Sequence, residues 1–368
     1  MRIIVTGANG FIGKNLCSKL IEMGYVDTFG LTRFTTHYDF QQALASADFV
    51  FHLAGVNRPD NPNDFALGNT TLTQNICDVL AKTGRRIPVV FTSSIYASYP
   101  ESLYGRSKLD AEIILQKYAS STQSPVYIYR LSNVFGKWCR PNYNSAIATF
   151  CHNLAHGEPI VIHDGTSPLK LVYVDDVVRS LTGLLSKPST ICELVEVDPI
   201  YLTTVSEVVD ILSGFTQSRI FFSEEVGDGL AGCLYSTFIS YLPTQAFSYQ
   251  LTSHKDPRGE FVEMLKTSKS GQISYLTVNS GATRGDHFHH SKIEKFLVIK
   301  GTAHFNFRHI LTNEIYDLVV RGGDARVVET IPGWTHNIKN IGSEELIVML
   351  WANSVFNPQN PDTIPLKV

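Results

Sequence analysis

The chain has 368 residues, 43% of them hydrophobic and 18% charged, enough apolar material for one large core or two smaller ones, and the length favours two. A formal net charge of −3 and the absence of any long Lys/Arg run argue against a nucleic-acid or polybasic membrane surface as the main partner, so an anionic ligand needs a local site. Cys17, Cys77, Cys139, Cys151, Cys192 and Cys233 are scattered without CxxC spacing, as free cytosolic thiols are. The apolar run at Met1–Gly7 is too short for a signal peptide and no stretch approaches a membrane span, so a cytoplasmic protein is expected.

Up to about residue 240, short β-branched or aliphatic runs (Arg2–Thr6, Phe49–Leu53, Val89–Thr92, Val126–Arg130) alternate with segments of helical spacing such as Lys14–Met23 and Tyr104–Tyr118. That alternation predicts an α/β domain with a Rossmann-like, doubly wound parallel sheet and helices on both faces. From about Phe247 the rhythm changes to short strands broken by Gly, Asn and Asp turns: Gln272–Val278, Lys295–Lys300, Ala303–Arg308, Ile315–Val320 and Leu346–Trp351. This spacing predicts an antiparallel all-β barrel or jelly roll. Tyr241-Leu242-Pro243-Thr244-Gln245 separates the two patterns and its proline disfavours continued helix, so the expected domains are 1–243 and 244–368.

Gly7-Ala8-Asn9-Gly10-Phe11-Ile12-Gly13 follows the first strand and opens a helix, where glycines let a pyrophosphate approach backbone N–H groups. Gly7, Asn9, Gly10, Phe11, Ile12 and Gly13 are therefore candidate cofactor-binding residues. An acidic residue for a ribose 2′-hydroxyl is expected about 20 residues on, but the sequence there reads Gly30-Leu31-Thr32-Arg33-Phe34. Arg33 points to NADPH, since a guanidinium can pair with the 2′-phosphate. Asp48, before Phe49–Leu53, offers an adenine contact or caps a turn, and Leu53, Ala54 and Gly55 are assigned to the cofactor at the end of that strand.

Tyr104-Gly105-Arg106-Ser107-Lys108 puts a phenol and an ammonium four residues apart on one helix face, after a strand ending Phe91-Thr92-Ser93-Ser94. A ketone that accepts hydride needs a proton at its oxygen, and a tyrosine supplies it at neutral pH only when a cation stabilises its phenolate. Tyr104, Lys108 and Ser94 are the candidate catalytic residues, with Ser93 competing for the serine role. These residues, with Asn69, Tyr129-Arg130-Leu131-Ser132-Asn133-Val134-Phe135-Gly136 and Tyr173-Val174-Asp175-Asp176, resemble the extended short-chain dehydrogenase/reductase family over about residues 1–240. The resemblance implies a nucleotide-diphospho-sugar substrate, Asn133 near that substrate, and structural roles for Arg130 and Asp176. In the segment 137–145, Lys137, Arg140 and Asn142 suit a diphosphate and a sugar, unless the segment is only a surface loop.

In the second half, Asp286-His287-Phe288-His289-His290-Ser291-Lys292-Ile293-Glu294 places His287 and His289 on one side of a strand by its two-residue period. Glu294 follows after a turn, and Pro332-Gly333-Trp334-Thr335-His336 supplies a later histidine. Three imidazoles and a carboxylate suit a divalent metal, Zn²⁺ first by ligand type, with Mn²⁺, Fe²⁺ or Ni²⁺ open. His290 is either a base or a residue turned to the core. The two segments match the signature motifs of the cupin superfamily, except that Pro332 adjoins Gly333 where the usual motif has a residue between.

Across its whole length the chain resembles a family of bacterial capsular polysaccharide and O-antigen synthesis enzymes that join these two domains. The resemblance rests on Phe51-His52-Leu53-Ala54-Gly55-Val56-Asn57-Arg58-Pro59, Phe135-Gly136-Lys137-Trp138-Cys139, Pro141-Asn142-Tyr143-Asn144-Ser145 and Asn357-Pro358-Gln359-Asn360-Pro361-Asp362-Thr363. It implies a homodimer whose cupin epimerises C3 of a UDP-linked 4-keto-6-deoxy amino sugar and whose reductase reduces C4. Two other classes stay open: a reductase whose cupin only binds sugar or mediates assembly, and a non-reducing epimerase or dehydratase that keeps its NADP bound.

Overall fold

The computed structural model describes residues 1–186, 192–217, 219–222, 226–359 and 361–368, so Asn360 of the last quoted segment lies outside it. The chain divides into two compact units, Met1–Leu212 with Cys233–Leu242, and Ser213–Gly232 with Pro243–Val368. The sequence places a contiguous division at residue 243, and the compact units depart from it over residues 213–232. Residues 213–232 join the second unit, to which a two-residue strand, Phe221–Phe222, is hydrogen-bonded.

The first unit runs β1 (Ile3–Thr6), α1 (Phe11–Glu22), β2 (Thr28–Leu31), α2 (His37–Ala45), β3 (Phe49–His52), α3 (Leu72–Lys82), β4 (Val89–Ser94), α4 (Leu103–Thr122), β5 (Val126–Leu131), β6 (Asn133–Phe135), α5 (Ala146–Ala155), β7 (Pro168–Tyr173), α6 (Val174–Gly183), β8 (Cys192–Val195) and β9 (Tyr201–Thr204). Its main sheet has the order β2-β1-β3-β4-β5-β8, all parallel, and β6-β7-β9 form a small second sheet. Strand residues alternate between two buried faces. Ile4, Val50, Val89, Phe91 and Ile128 pack on Leu44, Ile76, Leu80 and Leu115 of α2, α3 and α4. Ile3, Val5, Phe51, Val90 and Tyr129 pack on Leu16, Leu20, Val177 and Leu181 of α1 and α6. Because the sheet is parallel, the segments after β1 to β5 all leave from one edge, the edge where such sheets bind ligands.

The second unit opens with α7 (Val205–Gln217), which straddles the division, and continues through β10 (Phe221–Phe222), α8 (Gly229–Ile239), β11 (Ser253–Asp256), β12 (Gly259–Thr267), β13 (Gly271–Val278), β14 (Thr283–Phe288), β15 (Glu294–Lys300), β16 (Thr302–His309), β17 (Ile315–Arg321), β18 (Val327–Glu329), β19 (Trp334–Asn340), β20 (Leu346–Ala352) and β21 (Ile364–Pro365). Most of α8 clusters with the first unit. Two sheets, β10-β12-β13-β20-β15-β18 with β11 on β12, and β17-β16-β19-β14-β21, are antiparallel apart from β10. They enclose Val278, Phe296, Val298, Phe305, Ile338, Val348 and Leu350, the jelly-roll arrangement of inward-facing alternate residues. Among the described residues no helix is long and apolar enough to cross a membrane.

A buried polar chain ties the strand ends of the first unit together. The Thr73 hydroxyl donates to the Asn69 carbonyl at 2.7 Å, so it accepts from His52 Nε2–H at 2.9 Å. The Thr6 hydroxyl, which accepts the Ala54 N–H at 3.1 Å, then donates to His52 Nδ1 at 2.8 Å. Only a neutral imidazole satisfies every partner. Burial, then the charge of Lys108, push the His52 pKa from 6.5 down to about 3.

Below pH 6.5 the unfolded chain binds a proton that the folded chain refuses, so this contribution to stability is full above 6.5 and is lost as pH falls towards about 3. Between pH 6.5 and 5 the loss amounts to about 1.5 kcal/mol. Urea unfolding of wild type and His52→Gln at both pH values should show a pH dependence smaller by that amount in the variant. Equal slopes would mean that His52 does not carry the acid lability.

Candidate active site and candidate metal centre

The glycine loop leaves β1 at Gly7, whose φ of +70° favours glycine and whose added Cβ would lie 2.8 Å from Ala54 backbone atoms. A Cβ on Gly13 would lie 2.1 Å from the Gly7 carbonyl, so this position in the first turn of α1 stays bare. Gly10 is the N-cap with no side-chain cap, leaving the first N–H groups of α1 free for an anion. The loop therefore fits a dinucleotide pyrophosphate on its own geometry. Arg33 lies just past the end of β2, exposed. Leu53, Ala54 and Gly55 lie just past β3, and a Cβ on Gly55 would meet Asn69 Oδ1 and Lys108 Nζ at 3.0 Å.

Asp48 does not belong to this site. It precedes β3 at the opposite end of the strand from the glycine loop, accepts the Arg2 N–H at 2.7 Å and pairs with Arg85 at 3.4 Å. The alternative turn-capping role is the one its contacts match.

Lys108 is buried on α4, donates to the Thr92 carbonyl at 2.9 Å and stands 4.7 Å over the Phe91 ring. Burial lowers its pKa from 10.5 to about 8, opposed by the charge of Glu112. Tyr104, one turn earlier, is half-buried between Phe65 and Tyr96. Burial raises its pKa, and a hydrogen bond with Ser94 works against that rise. The two serines separate by partner: Ser94 meets Tyr104, whereas Ser93 donates to Glu112. Glu112 is fully buried and also holds Arg130 through three N–H···O contacts of 2.7 to 3.2 Å, so Arg130 locks β5 to α4. Asp176 pairs with Arg179 at 2.7 Å. Asn69 holds Val56 through both backbone groups, at 2.8 and 2.9 Å, and donates to Ser107, whose hydroxyl donates to the Tyr104 carbonyl.

Asn133, Arg140 and Asn142 are exposed beyond the same sheet edge. Lys137 is paired with Asp175, so its charge is already answered. Arg58, which enters the sequence reading only through the resemblance, was given no site role there. Its Nη1 donates to the Tyr143 carbonyl at 2.5 Å, and the Tyr143 hydroxyl donates to Asn57 at 3.0 Å, joining the segment after β3 to the loop that carries Arg140. No local spacing marks such a cross-loop pair.

In the second unit His287 and His336 are register partners on β14 and β19, and one ligand atom each from His287, His289, Glu294 and His336 lie within 4.8 Å of one another. Glu294 Oε2 is 3.3 Å from His289 Nε2 and 3.6 Å from His336 Nε2, and Oε1 is 2.7 Å from Lys292 Nζ. Burial would raise the Glu294 pKa, but the neighbouring imidazoles of His289 and His336 and the ammonium of Lys292 outweigh it and hold the carboxyl well below its ordinary value. Burial, then His336, lower the His287 pKa to about 4, keeping its imidazole neutral. His289 Nδ1 contacts the Asp362 carbonyl at 2.5 Å, so it carries the proton and leaves Nε2 as a lone pair. Nε2 of both His289 and His336 is buried with no hydrogen-bond partner, which is what a metal-binding donor set looks like without its ion. The four side chains fit a divalent cation.

Asp362, which the sequence reading gave no role, accepts the N–H groups of His290, Ser291 and Lys292 at 2.8 to 2.9 Å and so shapes the turn between His289 and Glu294. These bonds hold its carboxyl far below the usual range. The Pro332-Gly333 departure is accommodated by Gly333 at φ +80°, whose N–H bonds the His289 carbonyl at 2.9 Å. His290 is exposed, facing neither core nor cavity, which corrects both expectations for it. The metal set opens on a cavity of about 380 Å³ whose walls include Arg258, Arg284, Lys292, Phe296, Phe305 and Phe307.

Residues 3–194 match the model of the NAD dependent epimerase/dehydratase family, and residues 254–364 match that of the polysaccharide biosynthesis C-terminal domain. The chain is 49% identical, over 100% of its length and 99% of the relative's, to a UDP-2-acetamido-2,6-beta-L-arabino-hexul-4-ose reductase of Pseudomonas aeruginosa. The crystal structure of the capsular polysaccharide assembling protein CapF from Staphylococcus aureus matches it with a TM-score of 0.92 and 40% identity over 100% of both chains. A UDP-glucuronic acid 4-epimerase from Bacillus cereus, solved with UDP-glucuronic acid and NAD, covers 67% of this chain and 100% of its own at TM-score 0.58 and 17% identity, a likeness of fold alone. The chain belongs to the NAD dependent epimerase/dehydratase family, in the branch that carries a polysaccharide biosynthesis C-terminal domain of cupin fold.

Proposed function

We propose that this chain is a nucleotide-sugar reductase of polysaccharide biosynthesis with a second, epimerising site. The cupin inverts C3 of UDP-2-acetamido-2,6-dideoxy-hexos-4-ulose, and the first unit reduces C4 with NADPH to UDP-2-acetamido-2,6-dideoxy-β-L-talose, on the route to UDP-N-acetyl-L-fucosamine. The observation that carries the reading is Tyr104 one helical turn from buried Lys108 on α4, in a chain 49% identical over its whole length to a UDP-hexulose reductase.

NADPH, when bound along the glycine loop, supplies hydride to C4. Tyr104 gives its proton to the carbonyl oxygen as charge develops there, Ser94 holds that oxygen, and Lys108 stabilises the phenolate left behind. Arg140, with Arg58, supplies cations for the UDP diphosphate and Asn142 an amide for the sugar, while Lys137, already paired with Asp175, shapes the loop that carries Arg140 and Asn142. At the cupin, Zn²⁺ held by His287, His289, Glu294 and His336 supplies Lewis-acid stabilisation of negative charge when bound. Removal of the C3 proton needs the adjacent ketone, which makes that proton acidic.

Three outcomes follow for the UDP-linked 4-keto sugar. Tyr104→Phe should lower NADPH consumption by about 10²–10⁴-fold, while NMR in D₂O still shows deuterium entering C3. His287→Ala should lose bound metal by elemental analysis together with that exchange, and exchange by His287→Ala at the parent rate would reduce the cupin to a binding or assembly module. Lys108 acts in its charged form, so kcat/KM for reduction should fall as pH rises through about 8. A flat profile from pH 6 to 10 would remove the charged lysine from the mechanism.

A further inference from the structure

β14 is irregular where it passes the cavity. Gly285 (φ +105°) and Asp286 (φ +59°) form a bulge, and the register against β19 shifts between Gly285 and His287. An extra residue in a strand reverses the alternation beyond it, so Arg284 and His287, three residues apart, both line the cavity. Arg284 is only 13% exposed, its Nη2 is 3.3 Å from Asp256 Oδ1, and its Nε is buried without a partner. Arg258, a second cavity residue, takes the other oxygen of Asp256 at 2.6 Å. One carboxylate thus answers two guanidinium groups. The acids that line the wall, Glu263 and Glu294, have their own cations in Lys266 and Lys292, both at 2.7 Å. This part of the cavity carries an uncompensated positive charge and a buried N–H aimed at no acceptor, which is costly unless a ligand supplies one.

We propose that Arg284 and Arg258 grip the diphosphate of a nucleotide-linked sugar, making the cupin cavity a second nucleoside-diphosphate site on this chain. The guanidinium fork suits phosphate oxygens, the volume of about 380 Å³ lies in the range of small-molecule pockets, and the apolar walls Phe296, Phe305 and Phe307 raise the strength of a charged contact. The assignment rests on the reading that this unit acts on a UDP-sugar, and it names the residues that hold the anion.

The test uses the full, Zn²⁺-loaded chain and UDP as probe. Calorimetric titration should find two UDP sites per chain in the wild type, one of them weakened about 10–100-fold in Arg284→Gln and less in Arg284→Lys, with Zn²⁺ content unchanged. In the Tyr104→Phe background, Arg284→Gln should raise KM for C3 exchange at least about tenfold and leave kcat within about threefold. UDP binding identical in wild type and Arg284→Gln overturns the site, whatever exchange does. Loss of one UDP site together with an absence of exchange in the parent keeps the anion site and sinks the epimerase reading instead.

Discussion

The first unit is organised around keeping one ammonium charged where water cannot reach it. Lys108 lies in the core of α4 against β4, and burial drags its pKa down to about 8 even with the charge of Glu112 working against it. What opposes that drift is distributed: the Thr92 carbonyl, the face of Phe91, and the carboxylate of Glu112 one helical turn on. Glu112 in turn is a buried charge that Arg130 and Ser93 must satisfy. A buried pair of this kind is weak evidence for stability but strongly penalises any arrangement in which one partner is missing. That coupling fixes α4 against β4 and β5, and with it the placement of Tyr104.

His52 is neutral first because it is buried, and the charge of Lys108 adds to that. A second positive charge beside Lys108 in a dry pocket would be repelled, and both imidazole nitrogens already have partners that neutrality satisfies. The chain Thr6, His52, Thr73, Asn69, Ser107, Tyr104 then runs from the strand that launches the glycine loop to the helix that carries the phenol. The second unit poses the opposite problem, a buried carboxylate, and meets it with Lys292, while the unpartnered nitrogens of His289 and His336 face the same point as Glu294, where a divalent cation fits.

How much of this was legible in the sequence follows from the range of each signal. The glycine loop, Tyr104 with Lys108, and the spacing of His287, His289 and Glu294 are local patterns governed by one helix turn or one strand period, and their geometry could be read directly. Asp48 was misplaced because sequence distance does not reveal which end of a strand a residue occupies, and parallel strands put ligands at one end only. Ser93 and Ser94 could not be separated until Glu112, 19 residues away in the case of Ser93, claimed one of them. Arg284 stood in plain view beside the metal motif, but strict alternation turns it away from His287; only the bulge at Asp286 brings both to the cavity. Residues 213–232 group with the second unit and include the strand Phe221–Phe222 that pairs with β12, at two residues too short to leave a periodic trace.

On the proposed function, the two sites share one chemical requirement that orders them. The proton on C3 is acidic only while C4 is a ketone, because the carbonyl accepts the charge left when that proton departs. Reduction turns C4 into an alcohol and removes that acceptor, so C3 can no longer be inverted. Epimerisation therefore precedes hydride transfer for every molecule that undergoes both, and reduction by Tyr104 and NADPH draws off the epimer it accepts. Selection of one C3 configuration then falls to the substrate pocket at Tyr104, whose ring has Phe65 and Tyr96 as aromatic neighbours at 5.9 and 6.2 Å. A reductase that accepted both epimers would trap uninverted sugar as readily as product, so the sharpness of that pocket, rather than the speed of the cupin, sets how much of the product is inverted at C3.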